Sequence, residues 1–387
     1  MGRPVKEDED GGFSRGALAG IFGGLFFGYV GLTSVIPVLP GFVRDEYAAS
    51  NLVVGTVVTA TAFTALLVRP VAGHLADRYG HRRVMQAGAL AVAVFGLAYF
   101  LPFGPLWLIV IRLVLGAGEA ALFTAGAAWT MSIAPHHRRG QLIGLYGMSM
   151  WGGISLGTLL GSVLENFGRG AVWTFSALAG LVAFVLVRTV RDRKTAAPAG
   201  AGGLMLRPAL VPGLALALGS AGYAGLAAFA VLHLEGRGSG SGVVVLSCFS
   251  AVYAGTRLFI GHFPDKYGAR RVAIWCGAGE CLGLLTVAAA PNLPVAVLGS
   301  VVMGVGFSLL HPSLAVLVLD RVDPTRQGAA LGAYTSFWDL GLAAWGPLLG
   351  VVASGFGYPA VFVAGAICAA AAALVALSLP QRKAVPA

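Results

Sequence analysis

Long apolar runs separated by short polar breaks fill most of this chain. A helix needs about 20 mostly apolar residues to cross the hydrocarbon core of a bilayer, and the runs reach that length. The pattern predicts an all-α membrane protein with twelve transmembrane helices. The candidate spans lie at roughly 15–39, 51–74, 84–102, 106–132, 142–164, 170–190, 209–233, 243–263, 272–290, 294–319, 329–352 and 358–379.

One polar break is longer than the others and divides the spans six and six. It runs from Arg191 through a charged stretch into Ala, Pro and Gly residues. We therefore predict an N-terminal six-helix bundle at 1–190, a cytoplasmic linker at 191–207 and a C-terminal six-helix bundle at 208–387.

Composition and the placement of basic residues support a membrane protein and give it an orientation. The chain is 57% hydrophobic and 11% charged, whereas soluble domains carry about 25% charged residues. With both termini inside, twenty basic residues lie in cytoplasmic segments and three in outer loops, as the positive-inside rule requires. The net charge of +10 is then a signal of topology, and it gives no reason to expect a nucleic-acid partner.

A repeated segment indicates that the two halves are homologous. Gly73–Val84 recurs as Gly261–Val272, position by position at a constant offset along the chain. Tyr146 in the fifth span and Tyr334 in the eleventh are separated by the same offset. Two duplicated halves with the same topology are typical of transporters that hold a central pathway between the halves.

The repeated segment resembles the signature loop of the major facilitator superfamily. The first copy carries the glycines, the acid and the basic residues of that loop, with His81 where an arginine is usual; the second copy is more degenerate. The resemblance implies two pseudo-symmetric six-helix bundles and transport by alternating access. It also implies that the loop acids close the cytoplasmic side in one state. The residues assigned to this conformational role are Gly73, Asp77, Arg78, Gly80, Arg82, Gly261, Asp265, Gly268 and Arg270.

Charged residues within spans suggest where a proton could bind, because such residues are costly in a bilayer and commonly functional. Arg112 and Glu119 both lie in the fourth span, on one face of the helix. The surrounding sequence resembles a family motif whose arginine is linked to proton transfer. Glu119 is the favoured proton site and Asp339 in the eleventh span is the reserve. The alternative is a fixed structural contact between Arg112 and Glu119 or backbone carbonyls.

The fifth span resembles the motif of proton-driven drug and metabolite exporters. Gly153, Gly157 and Gly161 match, while Thr158 and Ser162 replace a proline and a glycine of that motif. Small residues at this spacing also form a groove for a neighbouring helix. The favoured function is proton-coupled efflux of a small organic molecule. The alternative is a proton symporter or a facilitative uniporter that imports a small metabolite.

Aromatic residues with few charges predict an amphipathic substrate. The residues expected to contact it are Tyr29, Tyr146, Trp151, Tyr223, Phe337 and Trp338. Arg69 and Arg257, upstream of the two repeats, are expected to form gating pairs. Glu280 in the ninth span is expected to reach the membrane surface or to pair locally.

The sequence carries no motif of an enzyme. There is no H-E-x-x-H metal motif and no phosphate-binding loop, and the four cysteines lack ligand spacing. We expect no enzymatic activity, no cofactor and no metal. The expected partners are a small-molecule substrate, protons and the lipid bilayer, with the protein a monomer in the cytoplasmic (inner) membrane.

Overall fold

The computed structural model describes residues 15–135, 139–191, 207–236, 238, 242–322 and 327–379, and nearly all of them are helical. This follows from the apolar runs, because a helix satisfies every backbone polar group within its own segment where no water is available. Residues 192–206, most of the predicted linker, lie outside the described residues.

Fifteen α-helices make up the described part of the chain, seven before the linker and eight after it. The first half consists of α1 (Arg15–Ser34), α2 (Leu39–Tyr47), α3 (Asn51–Tyr79), α4 (His81–Ala98), α5 (Pro105–Ile133), α6 (Arg139–Leu164) and α7 (Arg169–Thr189). The second half consists of α8 (Arg207–Glu235), α9 (Gly242–Ile260), α10 (Phe263–Tyr267), α11 (Ala269–Ala289), α12 (Leu293–Ser308), α13 (Leu310–Leu319), α14 (Gln327–Phe356) and α15 (Tyr358–Ser378).

The helices follow the predicted spans with three differences. The first span continues into α2, and the tenth is broken at Leu309 into α12 and α13. Eleven spans among the described residues are long and apolar enough to cross a membrane. The remaining predicted span, the third along the chain, is α4. It packs between α5 and α7, and its first turn is basic. These features fit the predicted all-α membrane fold.

The third difference concerns the repeated segment, which is less of a loop than we expected. Its first copy stays helical to Tyr79, and Gly80 alone separates α3 from α4. Gly80 and Gly268 have φ values of 98° and 89°, in the left-handed region that residues with a side chain rarely adopt. The glycine therefore lets each chain turn from one helix directly into the next.

Within the first half, α6 lies against α1 along its row of glycines. A Cβ at Gly153 would lie 2.5 Å from the carbonyl oxygen of Phe26. A Cβ at Gly157 would lie 2.6 Å from that of Val30, and one at Gly161 would collide with that of Ser34. The prediction of a groove for a neighbouring helix is confirmed.

The two halves meet along α3 and α14 and along α6 and α9. Near the start of α3 the backbones touch, because a Cβ at Gly346 would lie 2.5 Å from the oxygen of Gly55. Tyr358 donates a hydrogen bond of 3.2 Å to Asn51 at the same end. The halves are therefore closed at the end where α3 begins, which we predict to face outward.

At the opposite end, several glycines face open space. A Cβ at each of four glycines near the other ends of α6, α9 and α14 would meet no atom of the described residues within 4 Å. These glycines are Gly144, Gly147, Gly255 and Gly332. Gly355, at the other end of α14, also meets no such atom, so the tight end is defined by the contact of Gly55 with Gly346, and the opposite end is called the loose end.

Candidate functional site

An ion pair joins the two halves between these ends. Arg69 of α3 donates hydrogen bonds to Asp339 of α14, from Nε at 2.5 Å and from Nη2 at 3.1 Å. The Asp339 side chain is 1% exposed and that of Arg69 is 12% exposed. Bidentate pairs of this kind are among the strong hydrogen bonds of proteins. The expected pairing of Arg69 is found, and its partner comes from the other half.

One nitrogen of the Arg69 guanidinium makes no hydrogen bond within the described part of the chain. Its guanidinium lies over the ring of Phe123, 4.9 Å from the centroid. Nη1 is buried and has no hydrogen-bond partner among the described residues. A buried donor without a partner costs free energy. A state in which Nη1 binds another acceptor or a ligand would therefore be stabilised.

Glu119, the favoured proton site, lies in the first half near this pair. It accepts a hydrogen bond of 3.2 Å from the hydroxyl of Tyr29. Its carboxyl interacts electrostatically with Asp339 and with Arg69. The structure thus brings together one arginine and two acids, one from each half.

Arg112 binds the backbone instead of Glu119. It donates from Nε to the carbonyl of Val57 at 3.1 Å and from Nη2 to that of Val58 at 2.7 Å. A further bond of 3.3 Å reaches the hydroxyl of Thr61. The alternative of a fixed contact with carbonyls therefore describes Arg112, which ties α5 to α3.

Aromatic side chains form a cluster between the halves, beside the ion pair. Trp151 of α6 lies 5.0 Å from Tyr253 and 5.6 Å from Trp338, measured between ring centroids. Tyr223 stacks on Phe307 with an interplanar angle of 3°. A cavity opens within this cluster, and its lining residues are Trp151, Ile154, Ser155, Tyr223, Phe249, Ser250, Tyr253 and Phe307.

The other predicted substrate residues lie in different surroundings. The Tyr146 hydroxyl donates to the carbonyls of α5 at Leu122 and Phe123, so it joins two helices of one half. Phe337 packs against Gly213 of α8. Of the six residues, Trp151, Tyr223 and Trp338 belong to the aromatic cluster, and Tyr29 belongs to the ion-pair group.

Arg257 lies over aromatic rings. Its guanidinium carbon is 5.0 Å from the centroid of Trp151 and 5.7 Å from that of Tyr253. Nη1 also donates to the Tyr253 hydroxyl at 2.9 Å. No carboxylate pairs with Arg257 among the described residues. The expected gating ion pair is thus not found for this residue.

The signature segment lies at the loose end of the bundle. Asp77 is exposed in the last turn of α3, and no ion pair involves it in the described part of the chain. Arg78 lies over the neighbouring ring of Tyr79. Arg270 donates to the carbonyl of Leu377 at the end of α15. The side chain of Asp265 lies outside the described residues.

Glu280 does not behave as expected. It is fully buried in α11, and neither carboxyl oxygen has a hydrogen-bond partner among the described residues. Gly219 and Gly222 of α8 leave the space that its carboxyl fills. It neither reaches the membrane surface nor pairs locally within the part of the chain that the structure describes.

Several members of the aromatic cluster were not assigned to it from the sequence, and Ser155 and His311 are two of them. Ser155 lines the cavity with a buried hydroxyl that lacks a hydrogen-bond partner among the described residues. His311 lies against Trp151, at 6.0 Å between ring centroids. The constant offset between the halves pairs His311 with Phe123, and that pairing points to the site only through the structural contact of Phe123 with Arg69. Within the described residues no group of His, Cys, Asp and Glu could hold a metal ion.

Comparisons with known proteins identify the family. The profile of the Major Facilitator Superfamily matches residues 21–246 and 199–387. An uncharacterized MFS-type transporter of Burkholderia pseudomallei (strain 1106a) is 34% identical, over 93% of this chain and 91% of that protein. The uncharacterized MFS-type transporter YhhS of Escherichia coli (strain K12) is 32% identical, over 92% and 91%.

A solved structure supports the same fold. The inward-facing, occupied structure of a bacterial homolog of the human lysosomal transporter Spinster superposes with a TM-score of 0.78. The match covers 93% of this chain and 95% of that one, at 17% identity. Because the family profile matches both halves and these relatives align over nearly their whole length, the chain belongs to the major facilitator superfamily of membrane transporters.

Proposed function

We propose that this transporter exports a small amphipathic organic molecule across the cytoplasmic membrane in exchange for protons, with both termini in the cytoplasm. The observation that carries the proposal is the Arg69–Asp339 pair beside Glu119. It links a group that can take up a proton to a contact that holds the two halves together.

The proposed coupling is an exchange of partners by Arg69. When Glu119 is protonated and neutral, Arg69 binds Asp339 alone and the halves stay joined. When Glu119 loses its proton, its negative charge competes for the guanidinium, whose Nη1 has no hydrogen-bond partner among the described residues. A proton shifts the equilibrium between two states only if it binds them unequally. Because of this competition, protonation of Glu119 favours the state in which Arg69 binds Asp339.

The packing of the halves supports an assignment of the state. With the proposed orientation, the tight contact between Gly55 and Gly346 lies at the outer end and the loose end faces the cytoplasm. The exposed Asp77 fits this inward-facing arrangement, since the family resemblance assigns its contact to the outward-facing state. Alternating access would then close the cytoplasmic end around the signature segment.

Everted membrane vesicles test the direction and the coupling. Ethidium and 2-naphthalenesulfonate serve as fluorescent amphipathic probes of opposite charge. An exporter that exchanges substrate for protons accumulates at least one of them inside when the lumen is acidified, and the accumulation ends when the gradient is collapsed. A proton symporter would instead expel the probe from the acidic lumen. A uniporter would only equilibrate it, and either result would overturn the proposal.

A further inference from the structure

One buried acid, Glu280, takes no part in the coupling proposed above. It lies in α11, one of the apolar spans, and its side chain has no exposed surface. Neither of its carboxyl oxygens has a hydrogen-bond partner among the described residues. An ionised carboxyl buried without a partner costs far more free energy than a neutral one, so ionisation of Glu280 would destabilise the packing around it.

Glycines make the space that this carboxyl occupies. A Cβ at Gly222 of α8 would collide with Oε1, and one at Gly219 would lie 3.6 Å from Oε2. Leu310 of α13 packs against Gly219 as well. A Cβ at Gly306 of α12 would lie 2.5 Å from the backbone nitrogen of Glu280. Three helices therefore approach α11 closely at the level of Glu280.

The titratable groups around Glu280 supply no positive charge. Those that interact with it electrostatically are the thiols of Cys276, Cys281 and Cys368, on α11 itself and on α15. Within the described residues, no ion pair involves Glu280. The carboxyl is thus surrounded by apolar groups and thiols.

The basic residues of the helices packed on α11 have other surroundings. These helices are α8, α10, α12, α13 and α15, and neither α12 nor α15 carries a basic residue. His311 of α13 lies against Trp151, and His233 of α8 lies against Phe362. Arg207, Arg270 and Arg271 lie in the first turns of α8 and α11, and Lys266 lies in α10.

The turn of α8 that touches Glu280 also contributes to the aromatic cluster between the halves. Tyr223 follows Gly222 in the chain and stacks on Phe307. Its ring centroid lies 5.7 Å from that of Trp338 in α14. The position of this turn therefore links the core of the second half to the cluster.

We propose that Glu280 is a proton-binding site in the core of the C-terminal half, distinct from Glu119, and that its bound proton holds α8 against α11. Release of the proton would place a negative charge among glycines, leucines and thiols. Water or a cation could then reach the charge only if α8 moved away, and that movement would displace Tyr223 as well. The inference depends neither on the substrate nor on the direction of transport.

Infrared spectroscopy tests the protonation directly. A protonated carboxyl has a C=O stretching band that a carboxylate lacks, and the detergent dodecyl maltoside has no carbonyl group. We expect the purified protein to show this band at neutral pH, and Glu280→Gln to lose the part that belongs to Glu280. Glu280→Asp keeps a carboxyl and should shift that part. Asp320→Asn removes an exposed carboxyl after α13 and should leave the band unchanged.

The pH dependence of unfolding provides a second measurement. Where the unfolded chain has released its carboxyl protons, the folded protein holds one proton more, so its stability falls as the pH rises. This contribution lowers the folding equilibrium constant about tenfold per pH unit. It should be absent from Glu280→Gln and present in Asp320→Asn. Reversible unfolding in mixed micelles with dodecyl sulfate gives the equilibrium constants.

Two results would overturn the proposal. They are an infrared band that neither Glu280→Gln nor Glu280→Asp changes, and an equal pH dependence of stability in the wild-type protein and Glu280→Gln.

Transport assays separate this site from the proposed exporter function. Glu280→Gln should keep proton-driven accumulation of the fluorescent probes, because the proton on Glu280 is held and not exchanged. Loss of accumulation in this variant would make Glu280 part of the coupling and overturn its distinct role. Absence of accumulation in the wild-type protein would overturn the exporter and leave the Glu280 site standing.

Discussion

Arg69 and Asp339 are 270 residues apart in the chain and form a bidentate ion pair across the two halves. Both side chains are largely buried, and removing one partner of a buried pair leaves an uncompensated charge that costs about 3–5 kcal/mol. The pair is therefore a strong constraint on the state in which it forms.

The first prediction tests this constraint. Asp339→Asn and Arg69→Gln should each slow transport of the probe about tenfold or more, because the remaining charge is buried without its partner. The double variant with both charges exchanged, Arg69→Asp with Asp339→Arg, should recover part of the activity. Initial rates in vesicles provide the measurement. Normal rates in both single variants would show that transport does not depend on the pair.

The second prediction concerns proton coupling. Glu119→Gln mimics a permanently protonated carboxyl, so it should abolish accumulation driven by a pH gradient and permit downhill exchange of substrate. Glu165→Gln, in the short 3₁₀ turn that follows α6, is the matched control and should keep both activities. If Glu119→Gln retains gradient-driven transport, the proton site is assigned to Asp339 instead. If Asp339→Asn retains it as well, the uniporter alternative replaces proton exchange.

The third prediction concerns the signature segment. Asp77→Asn should impair transport and leave expression and substrate binding largely intact, because it removes a contact made in only one of two states. Asp265→Asn should have a milder effect, since the second copy of the motif is more degenerate. The measurements are initial transport rates and probe binding on the same preparations. Transport at the wild-type rate in Asp77→Asn would show that the charge of this segment only sets the topology.

The fourth prediction tests helix packing. Gly161→Val places a side chain against the backbone of α1, and forcing extra atoms into a packed interface typically costs about 1–3 kcal/mol. We expect a lower midpoint of thermal unfolding in detergent. Gly144→Val in the same helix is the control, because a Cβ there meets no described atom within 4 Å. Equal midpoints for the two variants would contradict the close packing of α1 on α6.

The fifth prediction tests orientation. Single cysteines near Arg169 and Arg237 should react with an impermeant maleimide added outside intact cells, in a background from which the four native cysteines have been removed. A cysteine at Arg188, predicted to be cytoplasmic, should react only after the membrane is permeabilised. The reverse pattern would invert the proposed topology. Arg237 lies outside the described residues.

The helices and the duplication could be predicted from the sequence, because both depend on patterns that are local or periodic. The length of apolar runs places the spans, and a fixed offset relates the halves. Pairing across the halves could not be derived in this way. Nothing in the sequence around Arg69 or Asp339 specifies which of several intramembrane charges it meets.

The partners of individual buried charges also could not be predicted from the sequence. Arg112 and Glu119 share one face of α5, which suggested a pair, yet each finds a closer partner on another helix. Glu280 was predicted to reach the membrane surface or to pair locally because the family resemblance makes the ninth span peripheral, and the structure instead encloses it against glycines of α8. Such outcomes depend on which helices become neighbours and how closely they approach.

The contact of Gly55 with Gly346 has a practical consequence for the study of this carrier. Because the two backbones touch there, any side chain added at either position acts as a wedge, and its size sets how far the helices are forced apart. Alanine, valine and leucine at Gly346 would form a series of increasing size. Each should lower the fraction of molecules that adopt the conformation with the Gly55–Gly346 contact. Such wedged proteins would be starting material for capturing the opposite conformer without a ligand, an inhibitor or an antibody fragment.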